Sequence, residues 1–573
     1  MKQVDCMNTK DNEPLNRSRQ FNGILNVIYS KNIIEYISLF TFLILLIIVS
    51  GFHEPWYDEA QSWLIARSAP LKDIFLTLPH YEGHSPLWHM ILLPIARSGI
   101  PYEIGIKAIA IILSTISAAL IIFKAPFPRL IRLLLPFTYF IFYQTGVISR
   151  NYSLLLLGFL FAAILYPKRN QKPWFFVLSM ALVSAASAYG IVICAGITVA
   201  WIIEIYKEYK IKFVKREFIK DERVRAITVL FLFALLMVYM ILPEANTYAV
   251  AVDSKNSFLI RLLYMLLIAP LEAIIYQYFD FYQRLSQQMI PILSYIVGII
   301  TGIMLFISLF YLIRREKIWT LVLPYMCFSI FSAGVHFYTH HISVVGFFFL
   351  FWSWTYMQEE RMNCATGASH AQKYIFKNED MKKIKKLGIL FLWVCMGMSV
   401  YWSVSASIHE ITVNYGYGRE MADFIEGNNL EKLKIMGEWQ IDHTTSSDKP
   451  LVVTNLIQGV VILPYFQHNI IFNLNNGNDL YPFIIHLVSD NAENIASWKE
   501  SGIPDVIIEE PDLQSVYGSE VSVFDYVPVK EIQTAFIWKD QVWSGIYKIS
   551  VRRDLLSDYP GLEPIEYEYV DPW

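Results

Sequence analysis

The chain has 573 residues, of which 55% are hydrophobic and 17% charged, with a formal net charge of −3 and a mean hydropathy of +0.39. So little charge, against a usual ~25%, together with recurring apolar runs near the ~20 residues that cross a bilayer, excludes an ordinary soluble globule and gives no basic domain for nucleic acid. The five cysteines, Cys6, Cys194, Cys327, Cys364 and Cys395, avoid both the loop after the first apolar run and everything past residue 405, so no disulfide framework is expected.

Residues 1–32 carry Lys2, Lys10, Arg17, Arg19 and Lys31 and lead into the apolar run Ile33–Phe52. That lead is too long for the n-region of a cleaved signal peptide, so the run reads as an uncleaved span with the N-terminus in the cytoplasm. Residues 53–103 then form an external loop, with a short helix over 58–68 and an interfacial helix over 87–96, a stretch too short to span. Charge parity places spans at 104–123, 133–148 and 153–166. The apolar stretch 174–206 reads as a hairpin turning near Ala188-Tyr189-Gly190, because one long helix would leave Lys207, Lys210, Lys212 and Lys215 outside. The 258–279 stretch contains Arg261, Pro270 and Glu272 and reads as interfacial or re-entrant. Further spans at 226–243, 289–313, 318–336, 342–357 and 388–408 bring the total to about eleven.

The fold class is therefore a mainly α multi-pass membrane protein, with residues 33–408 as the transmembrane domain. After residue 409, charges and turn residues return. A helix over 419–433, short strands at 450–454, 460–465, 469–474 and 505–508, a helix over 492–501 and a hairpin over 535–551 describe a C-terminal extracytoplasmic α/β or α+β domain. The expected location is the plasma membrane, N-terminus in and residues 409–573 out.

The loop at 51–89 gathers more ionisable and aromatic groups than most of the chain. Asp58-Glu59, close above the bilayer, suits a general base acting on a hydroxyl; equally, Asp58 could cap the short helix and Glu59 complement its dipole. His80, Glu82 and His84 would share one face of an extended segment and could hold a divalent metal or a phosphate, with Glu59 as a further metal candidate; the plain alternative is interfacial polarity. Arg150 and Tyr152 emerge on the same side, either to bind a lipid phosphate through the planar guanidinium or as a snorkelling anchor. His340-His341 either meets an anionic head group or ends two helices. No Asp, Glu, Lys or Arg sits mid-span in the stretches read as spanning, unlike the midplane sites of ion-coupled transporters.

WYDEAQSW after the first span, followed by HYEGHSPLWH, resembles the first external loop of GT-C superfamily glycosyltransferases, such as the protein O-mannosyltransferase-like and aminoarabinose-transferase-like enzymes. VISRNYSLLLLG resembles their later Arg–x–Tyr segment. The resemblance implies a multi-span enzyme that takes a sugar from a polyprenyl-phosphate donor at the external face and inverts the anomeric centre. Asp58 would match the catalytic carboxylate, with Glu59 beside it. Arg150 would match the family's arginine, with Tyr152, His80, Glu82, His84, His340 and His341 as substrate-binding candidates. Where relatives often carry a second-loop carboxylate, no Asp or Glu lies between Ala125 and Tyr152, and Gln144 and Ser149 are the polar groups there. A divalent metal is the one cofactor these residues could hold. The expected partners are the lipid-linked donor, the bilayer and a glycan, lipid or protein acceptor. The main alternative is a lipid-linked saccharide transporter or export component with an external binding module; a structural assembly protein is a third reading.

Overall fold

The computed structural model of the chain describes residues 32–212, 220–244, 247, 257–274, 290–312, 317–335, 337, 339–365, 380–442, 451–454, 456–474, 481, 483–484 and 492–565. It is mostly helical, with a small sheet near the C-terminus. Hydrocarbon leaves backbone amides no partner but their own helix. Ile33–Phe52, Tyr102–Lys124, Ala188–Tyr209, Glu222–Ile241 and Leu387–Thr412 are long and apolar enough to cross a bilayer. A sixth crossing is available if Arg129–Phe137 and Tyr139–Val147, bent by 54°, act as one. The multi-pass character expected from composition is therefore present, with five or six candidate spans among the described residues by length and composition.

The apolar stretch beginning at 174 is two helices, Pro173–Ala186 and Ala188–Lys212, that pack on each other. They part at Ser187, whose backbone is extended. The close approach depends on Gly190, where an added Cβ would collide with the Val183 carbonyl. The segment after Ser257 is helical from Phe258 to Glu272, with a π-helical turn at Tyr264–Ile268.

In the C-terminal part, β1 (Ile435–Gly437), β4 (Val506–Ile508), β6 (Gln541–Arg552) and β5 (Tyr526–Trp538) form one sheet in that order. The β1–β4 pair is parallel and the others antiparallel. A separate ribbon pairs β2 (Trp439–Asp442) with β3 (Leu451–Thr454). Two expected strands are otherwise. Residues 460–465 lie in the helix Leu456–Ile462 and the 3-10 turn Leu463–Tyr465, and 469–474 contributes one bridge at Ile471 before the turn Phe472–Leu474. A short apolar run buried on all sides has no period that separates strand from helix; Val460, Val461, Ile462 and Leu463 are all buried. The helix expected over 419–433 stops at Gly427, followed by the short turn Leu430–Lys432.

Residues past 409 share a hydrophobic core with the loop after the first span. Tyr57, Ala60, Trp63, Leu64, Trp88 and Leu92 are buried in one cluster with Met421, Ile425, Ile435, Val460, Ile471 and Val506. Polar contacts cross the same boundary: Gln61 donates to the Phe483 carbonyl at 2.8 Å, Arg67 to that of Pro464 at 3.0 Å, and Tyr481 to Asp73 at 2.8 Å. Arg419 grips Glu103, which also accepts from Tyr465. Each large side chain uncovered here costs about 1.5–3 kcal/mol, and a few of them match a typical stability of about 5–15 kcal/mol. A chain ending at residue 409 should therefore aggregate in detergent. Size-exclusion chromatography checks this, and a monodisperse truncated protein melting like the parent would contradict the shared core.

Candidate active site

The first span ends at His53, and Pro55 turns the chain so that Trp56 enters the helix Tyr57–Ser68 with an extended backbone. Glu59, in the first turn, folds back to accept the Trp56 N–H at 3.1 Å. Asp58 makes no capping bond, as Trp56 occupies the cap position. Its carboxylate turns instead to Arg150, whose Nη1 lies 2.6 Å from Oδ2; the side chains are 22% and 12% exposed. Arg150 sits 5.5 Å from the centre of the Tyr152 ring. The Tyr152 hydroxyl shares a hydrogen bond with His341 Nδ1. His340 stacks edge-on to His341 at 4.0 Å and approaches Trp56 at 6.5 Å.

Glu82 and His84 lie within the electrostatic reach of this pair. Burial pushes the Glu82 carboxyl up to about 8, Asp58 adding to the shift and Arg150 opposing it. Burial, with Arg150 adding, lowers His84 to about 4. Burial also raises Asp58, and Arg150 holds it back. The Asp58–Arg150 contact is thus flanked by a carboxyl pushed up to about 8 and an imidazole lowered to about 4. A second carboxyl does accompany Asp58, but it comes from the same loop.

The 80–84 stretch is not extended, so the shared face expected for His80, Glu82 and His84 does not form. Pro79–Glu82 makes one helical turn, and Gly83 follows at φ 64°. His80 points away, its Nδ1 2.7 Å from the Leu242 carbonyl and its ring against Tyr239. Glu59 is fully buried and engaged elsewhere. The four metal candidates do not converge, and no group of three His, Cys, Asp or Glu is placed to hold a metal among the described residues. The donor set does not fit a metal.

What the sequence reading missed lies directly beneath Asp58. His53 Nε2 is 3.1 Å from Glu59 Oε2, and its Nδ1 is 3.0 Å from Glu410 Oε1. Glu59 Oε1 also accepts the Ser149 N–H at 2.6 Å, and Glu410 accepts from the Tyr143 hydroxyl. His53 and Glu59 are 0% exposed and Glu410 is 2% exposed. One carboxylate, Glu59, therefore ties the backbone before Asp58 to the backbone before Arg150. Glu59 has no edge left for a substrate. The local signal for His53 was its place at the end of the first span; Glu410, 357 residues away, had none. No family model and no curated protein sequence matches the chain.

Burial opposes charge on His53, but the carboxylates of Glu59 and Glu410 prevail and raise its pKa to about 10, against an ordinary value of about 6.5. A raised folded-state value means that the stabilisation is complete below about 6.5 and is lost as pH rises through about 10. The melting temperature should fall across that window, and His53→Gln should lower it at neutral pH and flatten the decline. An unchanged alkaline slope in His53→Gln would show that another group governs it. Glu59→Gln, which breaks a buried ion pair, should cost about 3–5 kcal/mol, measurable by thermal unfolding in detergent.

Proposed function

We propose that the chain is a multi-span membrane glycosyltransferase of the GT-C kind. It moves a sugar from a polyprenyl-phosphate donor to an acceptor hydroxyl at the external face, with inversion. The observation that carries this reading is the Asp58–Arg150 pair, partly exposed just past the first span with Tyr152, His341, Glu82 and His84 around it. A carboxylate and a guanidinium side by side match the two charges of such a transfer: a proton to be removed and a phosphate to be released.

In this reading the donor phosphate draws Arg150 away from Asp58, and the freed carboxylate takes the acceptor's proton as its oxygen attacks the anomeric carbon. The bond from that carbon to the phosphate oxygen breaks, and the electron pair leaves with the polyprenyl phosphate, whose charge Arg150 meets. Glu82, still protonated near neutral pH, donates a hydrogen bond. Tyr152 and His341 brace the guanidinium. The fine topology of this reading has about eleven spans, an internal N-terminus and an external C-terminal part in the plasma membrane. Basic residues favour that orientation. Arg129 and Arg132 meet Glu35 at the start of the first span, and Arg169 and Lys317 meet Glu204 and Glu359 at the far end of the helix that begins at Tyr152.

Purified protein in detergent, given polyprenyl-phosphate sugars, should transfer sugar without any vesicle; no transfer would turn the reading toward transport. Asp58→Asn keeps the shape and removes the base, so transfer should fall about 10²–10⁴-fold in a protein that folds normally. Transfer near the parent rate would remove Asp58 from the mechanism. Arg150→Lys keeps a charge but loses the planar fork. The loss of a charge-assisted bond, about 1.5–3 kcal/mol, should raise the donor KM roughly 10- to 100-fold; an unchanged KM would return Arg150 to an anchoring role.

A further inference from the structure

The turn of the β5–β6 hairpin is buried, although hairpin turns ordinarily lie in water. Lys539, in the left-handed region at φ 58°, is 0% exposed. Its Nζ donates to the Glu272 carbonyl at 2.8 Å and lies 3.2 Å from Glu272 Oε1, itself 0% exposed. The ammonium also sits 4.2 Å from the centre of the Trp402 ring, on the last span. The Lys539 N–H donates to the Tyr139 hydroxyl at 3.0 Å. A lysine in a backbone region that favours glycine or asparagine, with its charge buried, is a poor choice for stability alone. Well-packed apolar side chains commonly do as well as a buried ion pair.

The hairpin reaches the buried clamp by two routes. Tyr139, which meets the turn, stacks on Tyr143 at 5.5 Å, and Tyr143 donates to Glu410. Phe536 packs on Tyr415 and on Trp56, at 6.0 Å and 5.9 Å, and Tyr415 faces the His53 ring at 4.8 Å. Trp56 is two residues before Asp58. Trp56 thus meets the hairpin directly, His53 meets it through Tyr415, and Glu410 meets it through Tyr143 and Tyr139.

We infer that Lys539 and Glu272 are positioning residues of the active site: their ion pair seats the C-terminal hairpin against the membrane helices, and the seated hairpin holds the His53 clamp that aligns Asp58 with Arg150. The part of this inference that concerns catalysis rests on the glycosyltransferase reading; the mechanical part does not.

The test uses the full chain in detergent: the parent, Lys539→Met, and Lys539→Met with Glu272→Gln, which leaves no unpaired buried charge. Hydrogen exchange is followed at residues 53–59 and 148–151, alongside melting temperature and transfer from a polyprenyl-phosphate sugar. Both variants should exchange at least tenfold faster in those two segments, and kcat should fall at least tenfold with little change in donor KM. The double variant should recover the melting temperature but neither the protection nor the rate. Exchange at 53–59 and 148–151 matching the parent in the double variant would overturn the inference, as would recovery of kcat along with stability. If the parent transfers nothing while exchange rises as expected, the functional reading fails and the seating of the clamp by the hairpin stands.

Discussion

A protonated histidine between two buried carboxylates is the contact on which the site depends. His53 spans Glu59 and Glu410, and the remaining acceptor capacity is taken by Trp56 N–H, Ser149 N–H and the Tyr143 hydroxyl. Burying an imidazolium with its carboxyl partners is expensive, and only such dense pairing offsets it. The cost is tolerable because one network joins the end of the first span, the turn before Tyr152 and the end of the last span. Apolar contact alone is non-directional and would not set their register to within an ångström.

Above the clamp, the environment separates groups of similar chemistry. Asp58 keeps Arg150 as a partner at 2.6 Å, whereas Glu82 sits in the same field without a guanidinium in contact and is pushed up to about 8. Burial raises both carboxyls of this loop, and Arg150 opposes it at each while touching only Asp58. His84 is kept neutral by burial and by Arg150, which leaves the guanidinium as the positive charge of this group.

The C-terminal part is built into this arrangement. Its helix Gly418–Gly427 and the β1–β4 pair complete the core around Trp63 and Trp88, while Lys539 reaches Glu272 and Tyr139. The loop that carries Asp58 is therefore held from both sides, by membrane helices and by a sheet contributed by the end of the chain.

The sequence by itself determined the membrane character, through apolar runs of bilayer length, and the break near Ala188, through the charge that one long helix would strand. It also pointed to Asp58 and Arg150, because a carboxylate so soon after a span cannot travel far from the head groups. Period and composition report only what each segment needs locally. The helix at 456–462 escaped because an apolar run buried on every side has no period to read, and His80 was grouped with His84 although Pro79 and Gly83 are the local marks of a helical turn between them. Only the tertiary structure decided that Glu59 is buried within the clamp, that Glu410 completes it, and that the hairpin turn at Lys539 is buried. His53 with Glu410 and Lys539 with Glu272 are pairings between charges distant in the chain, and desolvation makes such pairs obligatory only after folding has brought them out of water.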